Sequence, residues 1–129
     1  MIQLARLYDG VDSSGNPFFS PTRDRIEDPE ERARVARFLD SGKVIRRTTG
    51  RDVDRIDPSC GRVVPMSSHT DGTWIWNSAL RYYVTTHGVA PEPEFLAHIA
   101  RRNYEATIPE EPTWREALQV LRAKQQPTA

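Results

Sequence analysis

The sequence predicts an α+β domain: a small antiparallel sheet of four or five strands with three to four helices packed mainly on one face. Three observations carry that expectation. Strand-like segments crowd the first part of the chain and helical spacing dominates the last, an order that disfavours a parallel βαβ sheet. Asp71-Gly72 between two extended segments is a short-range hairpin signal, because a type I′ turn needs positive φ. Asp28-Pro29-Glu30-Glu31 and Asn77-Ser78 are helix starts.

The elements follow in order. Ile2 to Tyr8 reads as a first strand, and Asp9-Gly10 with the Asp12 to Pro17 stretch as turn chemistry. Phe18-Phe19 is a short second strand. Asp28 caps a helix, Pro29 suits its first position, and Glu30 and Glu31 favour the positive end of its dipole. Val35, Phe38 and Leu39 make its apolar stripe, while Arg32, Arg34 and Arg37 face outward. Gly42 ends this helix, expected in the left-handed conformation. Lys43 to Thr49 is a strand, and Gly50 to Gly61 a polar connection.

Arg62 to Ser68 is expected to pair with Thr73 to Trp76 across His69-Thr70-Asp71-Gly72. Pro65 cannot donate to a ladder, which places it at an edge. A second helix runs from Ser78 to His87, with Leu80, Tyr83, Val84 and His87 on one face and Gly88 closing it. Pro91 opens a third, with Phe95, Leu96 and Ile99 inward and Arg101-Arg102 at its end. Thr113 caps the last helix and Glu116 completes a capping box. Trp114, Ala117, Leu118 and Leu121 line its buried face. Residues 1–124 read as one domain and 125–129 as a fraying tail.

Composition narrows the function. The chain of 129 residues is long enough to bury a core without a disulfide or metal staple. Its 18 basic and 18 acidic residues balance, which argues against a dedicated nucleic-acid binder. The single cysteine, Cys60, excludes an internal disulfide framework. No signal peptide or membrane span is visible, so the expected place is the cytoplasm.

The candidate chemistry is thin. Cys60, His69 and Asp71 superficially offer a nucleophile, a base and an orienting carboxylate. Their order fits no motif with defined mechanics, and Cys60 has no helix N-terminus to lower its pKa. They read as turn and loop residues. Asp52, Asp54 and Asp57 lack the glycine and glutamate a calcium loop needs, because Asp57 and Val63 stand there. They read as a solvated acidic loop balanced by Arg51 and Arg55. His87 and His98 sit near helix C-termini, where a partly cationic imidazole is stabilised. There is no phosphate loop. No catalytic residue, metal ligand or cofactor is assigned.

The aromatic segment is the strongest signal. Two of the three tryptophans and two of the four tyrosines lie between Trp74 and Tyr83. On a strand, Trp74 and Trp76 point to one face and Ile75 to the other. Trp76, beside the helix, is expected in the core. Trp74 stays open between the core and an exposed partner surface.

Thr70-Asp71-Gly72-x-Trp74-x-Trp76, Leu80-x-Tyr82-Tyr83, His87-Gly88-Val89-x-Pro91 and Phe95-Leu96-x-His98-Ile99 together form a recognisable pattern. It resembles small uncharacterised proteins of actinobacteria, some of which look like immunity partners of secreted polymorphic toxins. The similarity covers roughly residues 30–102. It implies an α+β cytoplasmic binding protein and brings no catalytic residue with it.

The expected function is therefore protein binding: an immunity-type inhibitor that caps a cognate toxin, with no nucleic acid and no membrane involved. Its expected contact residues are His69, Asp71, Trp74, Arg81 and Tyr82, since Tyr, Trp and Arg dominate interface hot spots. The rival is a small enzyme or ligand-binding domain with an aromatic pocket of Trp74, Tyr82 and Tyr83, served by His69 and Asp71.

Overall fold

A computed structural model describes residues 2–125. Three short strands come first, β1 (Gln3–Leu4), β2 (Gly10–Val11) and β3 (Pro17–Phe18). Helix α1 (Pro29–Ser41) leads into β4 (Lys43–Arg46) and β5 (Arg51–Val53). A 3-10 turn at Pro58–Cys60 precedes β6 (Arg62–Pro65), β7 (Ser68–Thr70) and β8 (Trp74–Asn77). Helices α2 (Ser78–His87), α3 (Pro93–Arg101) and α4 (Glu111–Gln125) follow. The fold is α+β. The fraying expected from residue 125 onward falls, past Gln125, outside the described residues, and Gln125 itself ends α4. Among the described residues no helix is long and apolar enough to cross a membrane.

The main sheet has the order β1-β8-β7-β4, with β2–β3 and β5–β6 as separate two-stranded ribbons. Strand β7 runs antiparallel to both neighbours, but β1 joins β8 in parallel, so the sheet is mixed. The expected strand Arg62 to Ser68 splits in two. Its first half pairs with β5, which lies inside the stretch read as a connection. Only its last residue, Ser68, pairs with β8, in a strand continued by His69 and Thr70, both expected in the turn. Pro65 stands at the break, where a residue without an N–H ends one ladder and the chain enters the next.

The β7–β8 turn also shifts. Asp71 bonds back to Trp74, leaving Gly72-Thr73 as the loop. Only Gly72 takes positive φ (+95°), which a type I′ turn centred on Asp71 would not allow.

The alternation on β8 builds two cores. Trp74 and Trp76 pack against Val35, Phe38 and Leu39 of α1, Leu80 and Val84 of α2, and Phe95 and Ile99 of α3. Ile75 points the other way, onto Ala117 and Leu121 of α4, with Ile2, Ile45 and Val120 around it. Three helices cover one face and α4 the opposite one. Both sides of the strand are therefore dry.

The helix ends test the local reading. Asp28 accepts from the Glu30 amide at 3.0 Å, with Pro29 at the first position. Asn77 accepts from the Ala79 amide at 2.8 Å, and Gly88 closes α2 in the left-handed conformation. Gly42 differs from expectation. It is extended, with φ −74° and ψ 165°. A Cβ there would lie 2.5 Å from the Trp76 indole, so packing and not backbone handedness requires the glycine. Helix α3 starts at Pro93 and not at Pro91, because a proline pushes the residue before it out of the helical region and Glu92 is extended at ψ 150°. Helix α4 starts at Glu111, since Pro112 is tolerated in a first turn. Thr113 thus lies inside the helix, its amide bonded to the Glu110 carbonyl at 3.0 Å, and is not the cap.

Candidate functional site

The expected contact residues divide into two groups. Trp74 and Asp71 are each 4% exposed and face inward, which removes both from any outer surface. The Trp74 ring stacks on Phe95 with centroids 4.9 Å apart. One oxygen of Asp71 accepts the Thr73 and Trp74 amides, both at 2.9 Å. The other lies 2.6 Å from His98 Nε2, so the turn carboxylate is tied to α3. The hairpin tip is covered as well. A Cβ on Gly72 would meet Pro109 and Thr113 at the start of α4.

His69, Arg81 and Tyr82 keep partial exposure. The His69 ring lies parallel to Trp76 at 6.1 Å, and burial pushes its pKa down. Arg81 pairs with Asp40 at 2.8 Å. Tyr82 donates its hydroxyl to Asp54 at 2.6 Å. Trp74 and Tyr83 belong to separate apolar clusters, the second built with Val64, Ala79 and Val89. The aromatic pocket of the rival reading is therefore not assembled from these residues.

Asp54 overturns the reading of a solvated acidic loop. It is fully buried and accepts four donors. One oxygen takes the Ile56 and Asp57 amides at 2.8 and 2.9 Å. The other takes the Tyr82 hydroxyl and lies 2.7 Å from His87 Nε2. Burial alone would raise its pKa, but those donors favour the carboxylate and hold it at about 2. The same bond, more than burial, raises the Tyr82 hydroxyl. Beside it, Arg55 grips Asp52 through two bonds and its amide donates to the Tyr83 hydroxyl at 2.9 Å. Together these contacts pin the β5–β6 loop to α2.

Cys60 lies in this loop, at the end of the 3-10 turn. Burial and the neighbouring Asp57 carboxylate, toward which its thiol points, raise its pKa, the opposite of an activated thiolate. Asp54 accepts from amides two and three residues on, a local turn that the reading as a solvated loop does not single out. Its partners on α2, 28 and 33 residues away, leave no local trace.

One feature without any sequence motif stands out. Strand β4 ends the sheet, so its outer backbone edge has no neighbour strand among the described residues. A groove of about 400 Å³ runs along it, lined by residues 42–47 and Ile108. Ile108 is 60% exposed. Lys43, Arg46 and Arg47 line the groove with no acidic residue among them, and none of the three joins a salt bridge among the described residues. His69 lies across the ladder from Val44, so the expected surface and this edge adjoin. A second open groove, between α1 and α2, carries Arg81 with Asp40, Arg37 and a floor that includes Ala33 and Ala36.

No family model, curated protein or solved structure matches the chain.

Proposed function

We propose that the protein is a protein-binding module of the immunity type, capping a cognate toxin in the cytoplasm and excluding its substrate. The observation that carries this reading is where the reactive side chains go. Both carboxylate–imidazole pairs are spent inside the fold, Asp54 with four donors and Asp71 with three. A carboxylate whose oxygens are already bound by backbone amides and a fixed imidazole is poorly placed to take a substrate proton. What lines the groove along β4 is arginine, lysine and an exposed isoleucine, and arginine is enriched in interface hot spots. The resemblance to immunity proteins points the same way.

The test is to purify the tagged protein from its native cells and size the complex, then identify its members by mass spectrometry. A one-to-one complex whose partner is toxic when expressed alone supports the reading. A monomer without a stoichiometric protein partner, or one that retains a small molecule, overturns it.

A further inference from the structure

Resting on the protein-binding reading, we propose that the β4 edge is the docking surface, and that its occupant is an extended acidic segment of the partner protein, added as a fifth strand. Three observations converge on this edge. Its outer side has no neighbour strand among the described residues, which leaves a template for strand addition, although the ladder shifts register between Val44 and Arg46. It is bordered by Lys43, Arg46 and Arg47, none of which joins a salt bridge among the described residues, Lys43 lying instead over the Trp114 ring. It has one large apolar neighbour, Ile108, which is 60% exposed and can cover an alternate side chain of the incoming strand.

The charge selects the occupant. A second copy of the chain pairing edge to edge would set these cations against their own kind, and like charges directly opposite are destabilising. A basic peptide meets the same repulsion. An acidic strand supplies the missing carboxylates at alternate positions while its backbone completes the ladder. Single-stranded nucleic acid would satisfy the cations but leave the backbone edge unpaired, and the chain as a whole carries no net positive charge.

The experiment is a fluorescence-anisotropy titration with a labelled synthetic peptide of alternating glutamate and valine. Saturable binding is expected, weakening as salt rises because the pairing is exposed. The Arg46→Glu/Arg47→Glu variant, checked for folding by circular dichroism, is expected to bind at least tenfold more weakly. Methylating alternate amides of the peptide should weaken it similarly, since strand addition needs those donors. Should the double variant unfold, Ile108→Ser lies outside the strand and is expected to weaken binding several-fold. The proposal is overturned if the methylated peptide binds as tightly as its parent, if the variant binds unchanged, or if an oligonucleotide of equal charge binds better. Capture of the native partner separates this inference from the reading beneath it. A partner held equally by the double variant removes the edge and leaves protein binding standing, whereas absence of any partner removes the broader reading.

Discussion

Gly42 offers the sharpest test of how the core is built. Its backbone, at φ −74° and ψ 165°, is one that alanine adopts freely. On backbone grounds alone, Gly42→Ala would stabilise the fold by about 0.4–1 kcal/mol through the unfolded chain. Packing opposes this. The new Cβ would lie 2.5 and 2.6 Å from two carbons of the Trp76 indole and 3.0 Å from the Thr70 carbonyl oxygen. Ordinary carbon contacts are about 3.5–4.0 Å, so the indole has to retreat by about 1 Å. It has nowhere to go. Trp76 is 1% exposed, and Phe38 and Phe95 flank it at 5.3 and 5.6 Å.

Its Nε1–H donates to the Leu39 carbonyl at 3.0 Å, a bond that such a shift would break. An orphaned buried N–H costs about 1–3 kcal/mol, and overpacking a similar amount. After the backbone gain is subtracted, a net loss of about 1–5 kcal/mol is expected. For a domain of this length each kcal/mol lowers Tm by about 4 °C. Thermal and urea unfolding, followed by tryptophan fluorescence, measure it. Gly50, with nothing within 4 Å of its added Cβ, is the control, and Gly50→Ala should be neutral or slightly stabilising. Asparagine separates the two explanations. A left-handed glycine site tolerates asparagine better than alanine, while a crowded one tolerates it worse. Gly42→Ala at wild-type stability, or asparagine above alanine, would refute the packing argument.

Three further outcomes follow from the same contacts. Trp74→Ala should lose about 3–5 kcal/mol in urea unfolding, as a core tryptophan does, whereas unchanged stability would return Trp74 to the surface. Asp71→Ala and His98→Ala should couple by about 1–3 kcal/mol in a double-mutant cycle, and additive losses would show that the turn and α3 are independent. The pH dependence has a defined sign. Asp54 is held at about 2 against an ordinary 3.8, so its contribution is fully present above about pH 4 and disappears as pH falls toward 2. The difference corresponds to roughly 2 kcal/mol, and Asp54→Asn should flatten stability across that window when denaturation is repeated at several pH values.

Legibility in the sequence tracked the range of the interaction. The start of α1 and both ends of α2 were readable because each cap is a side chain or a glycine acting on backbone within a few residues. The alternation of Trp74, Ile75 and Trp76 was readable for the same reason. Which side met solvent was not, because α4 arrives from the far end of the chain and covers the second face. Gly42 looked like a left-handed cap because nothing local announces that Trp76, 34 positions later, fills the space beside it. Strand β5 was missed because Arg51–Val53 alternates weakly and gains its place from β6. Of the three α1 arginines expected outward Arg37 is the exposed one, since Arg32 turns back to the Ile26 carbonyl and Arg34 lies over Tyr104.

The residues that looked functional in the sequence were polar and aromatic, and several of them are neutralised by partners inside the fold. That suggests a different criterion for finding the working surface: a charged side chain lacking an internal partner, next to backbone lacking one too. Arg23, Arg55, Arg81 and Arg115 fail it, since Asp9, Asp52, Asp40 and Glu111 answer them. Arg101 and Arg102 fail it differently, because they end α3, where the helix dipole already favours a cation. Arg46 and Arg47 pass both halves among the described residues, while Lys43 passes only the second, since its ammonium lies over the Trp114 ring at 5.3 Å. All three lie on or just past a strand whose outer edge is unpaired among the described residues, beside an isoleucine the core does not use. Edge cations also keep a sheet from pairing with its own copies. The two roles are compatible, because the charge that repels an identical edge is the charge that admits an acidic one.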